Sequence, residues 1–125
     1  MKYTIKIKEN KDFVNLYKRG KFVAGKAITI YYRKNRFGKT RLGITTGKKV
    51  GNAVTRSRCR RIIRAAYYAN EEAFPKGYDY IIVARPVCGE CKSTQLADFM
   101  RMRAIPEMLK SIENKNTNSK NNTIK

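Results

Sequence analysis

Lys48-Lys49-Val50-Gly51-Asn52-Ala53-Val54-Thr55-Arg56-Ser57-Arg58-Cys59-Arg60-Arg61-Ile62-Ile63-Arg64-Ala65-Ala66-Tyr67 joins a basic connector to a helical pattern. Asn52 is a favoured N-cap type, and no breaker follows until Pro75 and Gly77, so a helix is expected from Asn52 to about Phe74. At about 100° per residue, Cys59, Ile62, Ile63, Ala66, Ala69 and Ala73 gather in one sector that can pack on a sheet. Arg56, Arg60 and Arg64 stack beside that sector, and Arg58 and Arg61 continue round the outer side. Like charges at i, i+4 repel. Phosphates set between them turn that cost into a gain, and a rise of about 6 Å per four residues suits neighbouring phosphates. The guanidinium fork also matches phosphate oxygens better than an ammonium does. A merely solvated basic helix is the competing reading, but no acid lies on this one before Glu71.

Working outward, Asn10 to Arg19 has a capping residue, Asp12 in its first turn and Gly20 as a stop, which predicts a short helix. Phe13 and Tyr17 lie one turn apart and share a face. Ala27 to Arg33 predicts a strand with Ile28, Ile30 and Tyr32 on one face and Thr29, Tyr31 and Arg33 on the other. Tyr31 is therefore expected on the exposed side, where Phe13 and Tyr17 either join it in a surface for stacking unpaired bases or simply anchor the first helix to the sheet. Asn35-Arg36-Phe37-Gly38 is a turn, and Arg41 to Thr46 is a second strand with Leu42 and Ile44 inward. These two strands are expected to form a hairpin. Tyr78 to Ala84 predicts a buried strand. Ser93 can cap a last helix carrying Leu96, Phe99, Met100, Ile105, Met108, Leu109 and Ile112, which Pro106 should kink or break. The order predicts an α+β fold, an α/β sandwich with a small central sheet and three helices. Residues 1–113 are expected to form a single domain. Residues 114–125, with five Asn and three Lys, are expected to be a disordered basic tail.

Charge narrows the function. Lys and Arg number 29 against 9 Asp and Glu, and sixteen basic residues lie between Asp12 and Glu71 with no acid among them. Such a run repels itself unless a polyanion neutralises it, so nucleic acid is the expected partner. A membrane partner is not expected: there is no basic amphipathic helix with bulky apolar anchors and no spanning run. Met1 to Glu9 is charged and lacks an apolar secretory core, so it is not read as a secretory signal and a cytoplasmic location is expected. Cys88-Gly-Glu-Cys91 has the spacing of half a zinc site, but only Cys59 remains to complete it and there is no His, so reduced thiols and no metal are expected. Without His and with so few acids, the chain has no evident general base or carboxylate cluster for phosphodiester hydrolysis, and no catalytic residue is assigned to it.

The central stretch closely resembles the signature of the bacterial ribonuclease P protein family, in which a Gly-Asn-Ala-Val run precedes an arginine-rich helix. The likeness extends over most of residues 9 to 113. It includes Lys11-Asp12-Phe13 with Tyr17 and Gly20, and Tyr78-Asp79-Tyr80-Ile81-Ile82-Val83-Ala84-Arg85-Pro86. Where the family has Asn between two arginines, this chain has Ser57, shorter but still hydrogen-bonding. The resemblance implies a sandwich similar to the second domain of ribosomal protein S5, with a left-handed βαβ crossover through the arginine helix. It implies a subunit of an endoribonuclease that removes the 5′ leader of precursor tRNA. Catalysis would belong to the catalytic RNA subunit and its Mg2+, bound mainly by that RNA; the polypeptide would hold none tightly but would help hold the leader and the metal ions, with no obligate protein partner. Lys48, Lys49, Asn52, Arg56, Ser57, Arg58, Arg60, Arg61 and Arg64 would contact RNA, and Phe13, Tyr17, Thr29, Tyr31 and Arg33 would line the leader cleft. The alternatives are a ribosomal or other structural RNA-binding protein without a nuclease role and, more remotely, an architectural DNA-binding protein.

Overall fold

The computed structural model describes residues 4–113. In chain order it contains β1 (Thr4–Lys6), α1 (Asn10–Arg19), β2 (Lys21–Ala24), β3 (Ile28–Lys34), β4 (Thr40–Thr46), α2 (Ala53–Asn70), β5 (Tyr78–Ala84) and α3 (Ser93–Phe99). Helix continues beyond α3 through a π turn at Met100–Ala104 to residue 113. The α+β class with three helices stands as expected. The anticipated tail lies outside the described residues.

The five strands are ordered β1-β4-β5-β3-β2. β4 runs parallel to β5, and β1 parallel to β4. β3 is antiparallel to both β5 and β2. The expected hairpin between β3 and β4 does not form, because β5 lies between them. β5 is the most apolar strand, with Tyr80, Ile81 and Ile82 all at 0% exposure, and the sheet centre buries both of its faces. The Asn35–Lys39 connection therefore spans two strand spacings, about 10 Å, rather than one. Asn35 secures it, donating from Nδ2 to Lys39 O at 2.7 Å and to Asp79 Oδ1 at 2.8 Å. The true hairpin is β2–β3, turned at Gly25, whose N–H donates to Ile28 O at 2.8 Å.

Each face of the sheet has its own core. On one, Ile30, Tyr32, Leu42, Tyr80 and Ile82 meet Cys59, Ile63, Ala66 and Tyr67 of α2 and Leu96, Met100 and Met108 of the last helix. On the other, α1 brings Leu16 onto Ile81 and Ile7, with Phe13, Tyr31 and Val83 half-buried around them. α2 differs from expectation at its end. It stops at Asn70, leaving Ala69 and Ala73 exposed, and Tyr67 fills the space against Phe74 and Tyr80 with ring centroids 4.8 and 6.4 Å away. Beyond it, buried Glu71 accepts from Thr4 Oγ1 at 2.7 Å, and the same hydroxyl lies 2.8 Å from Tyr67 OH. These bonds tie β1, a strand of only three residues, to the end of α2.

Pro106 does not break the last helix. The turn before it widens instead, and the Ile105 N–H donates to Met100 O, five residues back. A proline ring crowds the carbonyl four residues earlier, and a π turn relieves that crowding without ending the helix. No described helix is long and apolar enough to cross a membrane.

Candidate nucleic-acid interface

Asn52 caps α2 through its side chain, accepting the Thr55 N–H at 2.9 Å. Lys48 and Lys49 are exposed on a 3-10 turn just ahead of it. The arginines of α2 then divide, rather than forming one outward sector. Arg58 turns to the Pro86–Glu90 segment and donates from Nη1 to Gly89 O at 2.7 Å and from Nη2 to Cys91 O at 2.8 Å. It fastens a loop to the helix. Arg60 turns the other way and donates to Thr46 Oγ1 at 2.7 Å. Arg60 and Arg64 line a recess of about 140 Å³ with Leu42, Ile44 and Lys6. Lys6 was missed in the sequence because β1 was not recognised as a strand. Ser57, Arg61 and Arg64 are exposed, and Arg56 is half-buried with its Nε lacking any partner. None of these α2 arginines pairs with a carboxylate among the described residues. Their charge is thus left for an outside anion, and fixed guanidinium groups lose little entropy in taking one.

The opposite face carries the aromatic residues. In the register, Tyr31, Ile81 and Gly43 form one row across the sheet, and Thr29, Val83 and Thr45 form the next. Phe13 lies flat enough on the first row that a Cβ at Gly43 would meet its Cζ at 2.7 Å. Tyr17 meets Tyr31 edge-on at 5.0 Å and reaches Thr45 Oγ1 at 3.5 Å. Phe22 adds a fourth ring, 5.6 Å from Tyr31, and is 60% exposed. Sequence reading passed over it, although Phe22 and Val23 alternate in exposure as a strand requires. Tyr31 is half-buried rather than exposed, because α1 builds a second core on that side of the sheet. Thr29 is half-buried on the same face. Beyond Thr45 and Val83 a groove of about 600 Å³ runs to Lys48, Lys49 and Arg85. A ring-lined floor therefore leads into a cationic end. Arg33 does not join the rings; it lines a separate pocket at the other end of the sheet.

Two features are structural. Arg41 grips Asp79 with two bonds, Nε to Oδ1 at 2.8 Å and Nη2 to Oδ2 at 2.6 Å, and reaches Asp12 Oδ2 at 3.4 Å. The bond to Asp79 raises the Arg41 guanidinium pKa further, and the contact with Asp12 pins the first turn of α1 to the sheet. Cys59 and Cys88 are buried free thiols, and burial followed by Cys59 pushes the Cys88 thiol up to about 12. Among the described residues no three His, Cys, Asp or Glu side chains are grouped to hold a metal. Asp12 and Asp79 are both engaged by Arg41.

An acid-poor helix whose arginines have no carboxylate partner, and a sheet face of half-exposed rings beside a lysine-bearing groove, define an α+β protein of the RNA-binding class. The family model described as Ribonuclease P matches residues 1–105. The ribonuclease P protein component of Pelotomaculum thermopropionicum is 38% identical over 98 residues, covering 78% of this chain and 88% of that one. That of Clostridioides difficile is 45% identical over 80 residues, covering 63% and 70%. The RNase P protein of Staphylococcus aureus superposes with a TM-score of 0.71 at 30% identity, covering 84% of this chain and 94% of the other. That of Thermotoga maritima gives 0.62 at 28% identity, covering 83% and 93%. The chain belongs to the ribonuclease P protein family.

Proposed function

We propose that this chain is the protein subunit of a cytoplasmic ribonuclease P, an endoribonuclease whose chemistry is carried by its catalytic RNA. The polypeptide binds that RNA through Lys48, Lys49, Asn52, Ser57 and the α2 arginines, with Arg58 holding the helix to its loop. It receives the 5′ leader of precursor tRNA along Phe13, Tyr17, Thr29, Tyr31 and Phe22. Mg2+ belongs to the RNA, where phosphate oxygens supply the hard ligands that this chain's paired acids do not. The observation that carries the reading is the pairing of two surfaces. Unpaired arginines suit a folded RNA backbone, and exposed rings suit a single strand. Together they suit one partner of each kind.

The test is reconstitution. RNA-free protein incubated with precursor tRNA and Mg2+ should leave the substrate intact. Added to the catalytic RNA at low Mg2+, it should promote removal of the leader. Specific cleavage by the protein alone would refute the division of labour. Binding to the RNA without any effect on leader removal would show a structural RNA-binding protein instead.

A further inference from the structure

A second basic pocket lies far from the arginine helix. Its volume is about 310 Å³, and Arg19, Lys21, Arg33 and Lys34 converge on it beside Tyr78 and Ser111. Arg19 comes from the end of α1, Lys21 from the start of β2, and Arg33 and Lys34 from the end of β3. Gly20 makes the convergence possible. A Cβ there would meet Leu16 O at 2.6 Å and Tyr32 O at 3.1 Å, so only glycine lets the chain turn so tightly from α1 into β2. Lys21 is held in place by donating to Ser111 Oγ at 2.8 Å.

The lining contains no carboxylate, and none of the four cations has an ion-pair partner among the described residues. The attraction of the α1 C-terminus for positive charge accounts for Arg19. It does not account for Lys21, Arg33 and Lys34, which stand on strands. Four cations drawn into one concavity repel unless an anion joins them. The volume lies at the lower end of ligand-bearing clefts, about 300 Å³, and exceeds what a lone inorganic anion fills. Paired strands seven residues long separate this pocket from the Lys48–Lys49 end of the sheet, roughly 20 Å at about 3.3 Å per residue.

We propose that this pocket is a second RNA-backbone site, taking a phosphodiester at the opposite end of the sheet from Lys48 and Lys49. The inference rests on the assignment of the chain as an RNA-bound subunit. It adds that the RNA is gripped at two separated points.

The experiment uses Lys21→Gln/Lys34→Gln in the full chain, with Lys34→Gln alone as a second variant because that side chain is exposed and has no ion pair among the described residues. Binding is measured against salt for three partners: the catalytic RNA, precursor tRNA with the holoenzyme, and inorganic phosphate. The salt slope should fall by about two for the double variant and about one for Lys34→Gln. A fall with the catalytic RNA places that RNA in the pocket; a fall only with precursor tRNA places the leader there. Unchanged slopes for both RNAs overturn the proposal, as does a pocket that binds inorganic phosphate while RNA binding stays at wild type. Wild-type protein is assayed alongside. If it fails to promote leader removal, the functional assignment falls; if it succeeds and the variants match it, only the second site falls.

Discussion

The two faces of the sheet are covered unequally. The face under α2 and the last helix holds a cluster of twenty buried side chains, whereas α1 buries only Ile7, Leu16 and Ile81 on the other. One face is devoted to stability. The other is half-clothed and keeps Tyr17 and Phe22 in contact with solvent at 41% and 60% exposure. A small protein can thus hold a single-stranded ligand against its sheet without a separate binding domain, provided the opposite face stabilises the fold alone.

The strongest challenge to that division is Ile63→Ala, at 0% exposure in the large core. It should cost about 2–5 kcal/mol in thermal or denaturant unfolding. A cost no larger than that of a substitution in the small cluster would mean the two faces share the load. Next comes Gly43→Ala, which drives a methyl group into the Phe13 ring. We predict a loss of about 1–3 kcal/mol and a weakened preference for precursor over mature tRNA, since α1 must shift. Retention of both would show that α1 floats on the sheet.

Phe22→Ala and Tyr17→Ala sharpen the contrast further. Each should weaken precursor tRNA binding by about 1–3 kcal/mol, leave mature tRNA unchanged and barely move the melting temperature. Tyr31→Ala should lower both, because that ring is also part of the small core. Equal losses for both tRNAs would remove the leader from this face. The smallest contrast lies along α2. Arg58→Ala breaks two bonds to backbone carbonyls and should cost about 1–3 kcal/mol of stability. Arg61→Ala should change stability by less than about 0.5 kcal/mol and lower the salt slope of RNA binding by about one. Similar melting temperatures for the two variants would mean that Arg58 is as free as Arg61.

What could be foreseen in the chain follows the range of the interactions. α2 was legible because its cap at Asn52, its apolar spacing and its arginines are local. β3, β4 and β5 were legible as strands for the same reason. Their pairing was not, since β3 meets residues about fifty positions away and the nearer partner, β4, looked sufficient. β1 escaped notice because a three-residue strand has too few positions to show alternation. At the interface, Phe13, Tyr17 and Tyr31 were identifiable from the family pattern and do converge. The inward turn of Arg58 was hidden because its acceptors lie on a loop thirty residues downstream. Arg33 was grouped with the rings by strand alternation alone, which does not show how far along the strand the rings extend.

The central place of β5 also governs how this molecule is born. Among the described residues β5 is the last strand to leave the ribosome, yet it is the one that joins β3 to β4. Until β5 has emerged, β3 and β4 lack the strand that joins them in the folded sheet, and their facing edges have no partner. Loop closure over such separations is slow, and unpaired edges invite aggregation in the interval. The same early segment carries most of the positive charge. Mutual repulsion between nascent copies therefore keeps those edges apart while the seam is still missing.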